Sequence, residues 1–129
     1  MRASRARETG ELSAAWTVQA LCSVWVHQRG RVNERIGVID RALRALAGDR
    51  LDRELRAQAQ RAAHMLAGSV GMFGFVDAGT AAGELELELA RARSEQAPRL
   101  TALLERVRDG VRGPVVLCSE VAGESELDV

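Results

Sequence analysis

Four stretches of this sequence repeat apolar residues at intervals of three, four and seven, and stripes of that kind are hidden from water only by laying helices side by side. The first stripe reads Val18, Leu21, Trp25, Val32, Ile36, Ile39, Leu43 and Leu46. Gly48 predicts its end and Asp49 a cap for the next helix, while Gly30 and Gly37 weaken it and allow a bend near 28–31. A second helix is predicted from about Arg50 to Phe73, with Leu51, Leu55, Ala59, Ala62, Leu66, Ser69 and Phe73 on one side. A third, from about Val76 to Arg93, turns Ala78, Ala81, Ala82, Leu85, Leu89 and Ala92 inward. Its Glu84-Leu-Glu-Leu-Glu-Leu89 run alternates like a strand, yet it sits among helix formers with no turn residues behind it. Pro98 suits the first turn of a fourth helix, where Leu100, Leu103, Leu104, Val107 and Val111 follow until Gly110 and the Gly113-Pro114 pair. Short connections between four amphipathic helices predict an all-α, antiparallel up-down four-helix bundle with an extended N-terminal helix.

At 129 residues and 47% hydrophobic content the chain suits one domain. Met1 to Gly10 is polar and Arg-rich without periodicity, so residues 1–11 read as a disordered tail, 12–112 as the bundle and 113–129 as lying outside it. In that last segment Val115-Val-Leu-Cys118 reads as a strand. Charges balance, 18 against 18, so no overall field draws the chain to nucleic acid or to an anionic membrane. The apolar stretch from Ala14 to Val26 is broken by Thr17, Gln19 and Ser23 and is shorter than the roughly 20 residues of a membrane span. Glu8 and Glu11 ahead of it argue against a signal peptide. Cys22 and Cys118 lie far apart and fit neither a metal-ligand spacing nor a disulfide framework, which points to a reduced, cytoplasmic compartment.

At about 100° per residue, the apolar stripe of the second helix centres on one direction and His64 falls almost opposite it. Ala57, Gln60, Arg61, Ala67, Gly68 and Gly71 share that outward face, so the imidazole is expected among small or polar neighbours. His27 has no such surroundings and reads as solvated. No metal-ligand set, carboxylate pair, phosphate-binding loop or Ser/His/Asp set points to a cofactor or to an independent enzyme.

The segment Arg61-Ala-Ala-His-Met-Leu-Ala-Gly-Ser-Val-Gly-Met-Phe-Gly74 resembles the signature of the histidine-containing phosphotransfer (HPt) family: a histidine, an apolar residue two later, and glycines four, seven and ten later. His64, Leu66, Gly68, Gly71 and Gly74 match in register, and Ala78, Ala81, Ala82, Leu85 and Glu86 are similar to the family's next helix. The resemblance implies a phosphoryl carrier in a two-component phosphorelay, taking a phosphoryl group on the distal nitrogen of His64 from a receiver-domain aspartate or a sensor histidine kinase and passing it on. It implies that Gln60, Arg61, Ala67, Gly68 and Gly71 form the docking surface, and that magnesium and most catalytic groups belong to the receiver. Imidazole suits the task because it is nucleophilic near physiological pH and its phosphoramidate keeps a high transfer potential. Glycines one and two turns beyond the ring leave room for a partner at the expense of helix stability.

Ala67 departs from the family, which usually carries Lys at this position. The alternative it supports is a bundle that kept the fold and lost the relay, acting as a docking or dimerisation module. Trp16, Trp25 and Val26 read as core of the first helix, with a homodimer surface as the other explanation for its apolar N-terminal half. The charge runs Glu84 to Glu88 and Arg91 to Arg93 read as a solvated face with intrahelical pairs. Pro114-Val-Val-Leu-Cys-Ser-Glu120 resembles the first strand of a receiver-like domain, so residues 113–129 are expected to be a tail or the start of one.

Overall fold

The structure is a computed structural model that describes the backbone of residues 2–122 and the side chains of residues 19, 20 and 22–112. It is an antiparallel up-down bundle of four helices: α1 (Arg2–Ala47), α2 (Arg53–Met72), α3 (Val76–Leu89) and α4 (Ala97–Ala122), with a 3₁₀ turn over Ser94–Gln96 leading into α4. Each helix packs on two neighbours, α1 on α2 and α4, and α3 on the same pair. The described part of every predicted stripe meets in one core, whose fully buried members include Ile39, Leu66, Leu85, Leu89, Leu100 and Leu104.

The turns correct several boundaries. Asp49 does not cap α2; it takes a left-handed conformation (φ 56°) in the turn that closes α1, and Asp52 caps instead, accepting from the Leu55 N–H at 2.7 Å. A short acidic side chain tolerates the left-handed region, so either Asp suits either task by type. α2 stops at Met72 because Gly74 adopts φ 81° and the Phe75 N–H returns to the Val70 carbonyl at 3.1 Å. α3 stops at Leu89, where the Arg56 guanidinium donates to the Leu89 and Ala92 carbonyls at 2.5 and 3.1 Å. That arginine satisfies acceptors a helix end leaves open.

Trp25 is only 2% exposed and edge-packs on Phe73 and Phe75, with centroids 5.1 and 5.8 Å away, so this tryptophan belongs to the core and ties α1 to the α2–α3 turn. Trp16 lies outside the described side chains. Among the described residues the acidic side chains of α3 pair between helices, not within one: Arg99 Nε donates to Glu88 of the run at 2.7 Å, and Arg106 donates to Asp77, ahead of the run, at 2.6 Å. These carboxylates hold both guanidiniums above their usual range, Glu88 for Arg99 and Asp77 for Arg106.

Three expectations fail at the ends. α1 is helical from Arg2, across the segment expected to be disordered, where Ala, Arg and Glu are strong helix formers. α4 runs through Gly113-Pro114 to Ala122, so the strand expected at 115–118 is helix; a lone strand leaves its ladder groups open, whereas a helix closes most of them within itself. Cys22 is disulfide-bonded, contrary to the reading of its spacing, and Cys118 lies outside the described side chains. Among the described residues no helix is long and apolar enough to cross a membrane, and no cluster of metal-ligating side chains occurs.

Candidate functional site

α2 turns Ala59, Ala62, Ala63, Leu66 and Val70 into the core, which sends His64 outward with 73% of its side chain exposed. The ring stands beside α3. His64 Nδ1 lies 2.9 Å from Oε1 of Glu86, the residue that follows the fully buried Leu85, so the packing of α3 fixes where this carboxylate sits. α2 and α3 approach closely here, since a methyl group added at Gly79 would already touch Val70, the Ala67 carbonyl and Gly71.

His64 shares an open groove of about 540 Å³ with Gln60, Arg61, Met65 and Glu86. Of the residues expected from the sequence, Gln60 and Arg61 line this groove with the histidine. Gly68 and Gly71 are exposed on the same helix, and the space a Cβ would occupy at either is empty to 4 Å. Nothing among the described residues therefore requires glycine at these two positions. Ala67 is half-buried and packs against the core, at the edge of the face and not upon it.

Sequence reasoning missed Glu86 and Met65 as members of the site. Glu86 was read as part of a solvated run, and its register against α2 is set by packing that no local pattern encodes. Met65 carried a signal, being an exposed apolar residue next to the histidine, at 50% exposure.

A carboxylate only accepts hydrogen bonds, so the ring nitrogen facing it is stable as N–H. The contact thus selects the tautomer protonated at Nδ1 and leaves the Nε2 lone pair for chemistry, much as a carboxylate orients an imidazole in metal and hydrolase sites. Nε2 makes no hydrogen bond to the described residues. His27 is also exposed, but its Nδ1 lies 2.8 Å from the Ser23 carbonyl of its own helix, and no carboxylate pairs with it among the described residues.

Comparison with curated proteins and with solved structures gives no match. The sequence model of the Hpt domain matches residues 29–110, from the middle of α1 to the Gly110 of α4, and that span contains His64, Glu86 and the whole groove. With most of its length in that match and a helical bundle around an exposed histidine, the chain belongs to the Hpt domain family.

Proposed function

We propose that His64 carries a phosphoryl group between signalling proteins, as Hpt domains do in phosphorelays, with a receiver-domain aspartate as donor or acceptor and a sensor histidine kinase as a further donor. The observation that carries the reading is the exposed ring with Nδ1 held by Glu86. In the forward step the Nε2 lone pair attacks the phosphorus of the receiver's aspartyl phosphate. The N–P bond forms, the P–O bond to the aspartate breaks, and the aspartate leaves as a carboxylate. The proton on Nδ1 stays, so the ring becomes cationic while Glu86 faces it with the opposite charge. The chain is a carrier with no catalysis of its own, and the receiver contributes the magnesium. The test is incubation of the purified chain with a panel of phosphorylated receivers from its own genome.

Glu86→Gln removes that charge while keeping an acceptor, and we expect transfer to slow about tenfold, the equivalent of about 1.4 kcal/mol. Gly68→Gln keeps the fold, since its site is open, yet obstructs a docking partner. We expect transfer to fall while the melting temperature holds or rises. A variant equally folded and equally fast would leave the glycine without a function.

Ala67 favours the second reading, a docking module that has lost the relay. Against it stands Arg61, which lines the groove one helical turn before His64 and has a guanidinium able to fork onto phosphate oxygens. We expect Arg61→Ala to shorten phosphohistidine lifetime or slow transfer several-fold, and Ala67→Lys in that background to restore it. Unchanged kinetics in Arg61→Ala would shift weight to the docking module.

A homodimer surface on α1 is supported by Val24 and Val26, each 47% exposed. A cytoplasmic location rests on the relay partners alone, because the disulfide at Cys22 removes the ground of reduced thiols.

A further inference from the structure

The seam between α1 and α4 holds a cleft of about 280 Å³, on helices other than the pair that carries His64 and Glu86. Buried Trp25, Val32, Ile36 and Val111 form its floor, and Arg29, Asn33, Arg108 and Arg112 form its more exposed rim. The α1 members stand at intervals of four, three, one and three, a single stripe, and the α4 members fill one turn opposite.

Arg108 is answered within the protein, 3.6 Å from Asp40 and 2.7 Å from Glu105. Among the described residues Arg29 and Arg112 are not. No carboxylate pairs with either among the described residues, and the acidic side chains nearest them in sequence, Glu34 and Asp109, are exposed and bonded to neither. The floor has an unanswered donor as well, since the Trp25 indole Nε1 is buried without an acceptor among the described residues. Buried donors are almost always paired, so an oxygen admitted to the edge of that ring would fill a role the chain leaves open.

Two guanidiniums that no described carboxylate pairs with, above an apolar floor, specify both ends of a ligand. Guanidinium forks match a carboxylate, and the floor favours an apolar body by the hydrophobic effect. The volume is near the lower end for small-molecule sites, which points to a ligand of modest size. We propose that the α1–α4 cleft binds an apolar monocarboxylate, with Arg29 and Arg112 holding the carboxylate and Trp25, Val32, Ile36 and Val111 covering its body.

The test is a ¹H–¹⁵N NMR titration of the full chain with octanoate and, separately, with 1-octanol, which shares the apolar body and lacks the charge. Octanoate should move the Trp25 indole N–H and the amides of Arg29, Val111 and Arg112 saturably, and 1-octanol should bind at least tenfold more weakly. The double variant Arg29→Gln/Arg112→Gln should weaken octanoate at least tenfold and leave 1-octanol unchanged. Shifts that do not saturate, that centre elsewhere, or that are equal for the two compounds would overturn the proposal, as would unchanged octanoate affinity in the double variant. The comparison of the two compounds on the unaltered chain decides the matter even if the double variant folds poorly.

Discussion

Replacing His64 with Gln is expected to abolish labelling by a phosphorylated receiver or an active kinase and to leave thermal unfolding within about 0.5 kcal/mol of the unaltered chain. The two halves of this expectation come from the same geometry. The side chain is mostly solvent-exposed, and its contact with Glu86 is a surface pair of the kind worth no more than about 1 kcal/mol, which a glutamine amide can partly replace. Loss of the ring, however, removes the nucleophile altogether. The label on the unaltered chain should be acid-labile and base-stable, as a phosphoramidate is. His27→Gln is the matched control, because that ring is exposed too but lies outside the groove, and it should label normally. Labelling of His64→Gln at the unaltered level would refute the assignment.

The largest loss of stability is expected at Gly110. The sequence suggested this glycine as the end of a helix, but α4 runs straight through it, and a Cβ there would stand 2.6 Å from the Cβ of Ala78 on α3. Such a contact is far inside van der Waals separation, and both atoms are fixed to helix backbone, so the helices themselves must part. Overpacking of this kind costs about 1–3 kcal/mol, against which an alanine returns up to about 1 kcal/mol of helix propensity. Gly110→Ala should therefore lower the melting temperature by several degrees, at roughly 4–8 °C per kcal/mol for a small domain, and Gly110→Leu should prevent folding. Ala78→Gly should recover much of the loss in the Gly110→Ala background, a coupling that calorimetry of the four-member cycle would measure. Additive effects would show that the two helices do not meet there.

The bundle was legible because burial has a period. Ile36, Ile39, Leu43 and Leu46 repeat as a helix surface repeats, and the same pattern in α2 put His64 on the outside before any contact was known. Features set by one residue's choice between equivalent local options were not legible. Asp49 and Asp52 are the same residue type three positions apart, and only the turn geometry decides which one caps. Glu84, Glu86 and Glu88 look alike in the sequence, yet Glu86 meets the histidine of α2 and Glu88 meets Arg99 of α4. Their partners depend on how α3 is rotated between its neighbours, which is a property of the assembled core. Gly110 was misread for a related reason: a glycine that ends a helix and a glycine that lets two helices touch have the same local signature.

The contact between His64 and Glu86 crosses from α2 to α3, and its reach defines a minimal chemical unit. One helical hairpin, Arg53 to Leu89 with the Gly74 turn between its arms, holds the exposed histidine, the carboxylate that faces it and the open glycine positions together. A peptide of α2 alone would present the same histidine without a fixed proton, and its reactivity would fall to that of free imidazole. The first and last helices, α1 and α4, form the wall on which this hairpin packs. α1, at 46 residues, is longer than both arms of the hairpin together. An engineer moving this chemistry to another scaffold would transplant two helices and their interhelical register, and need only supply a second pair to press against them.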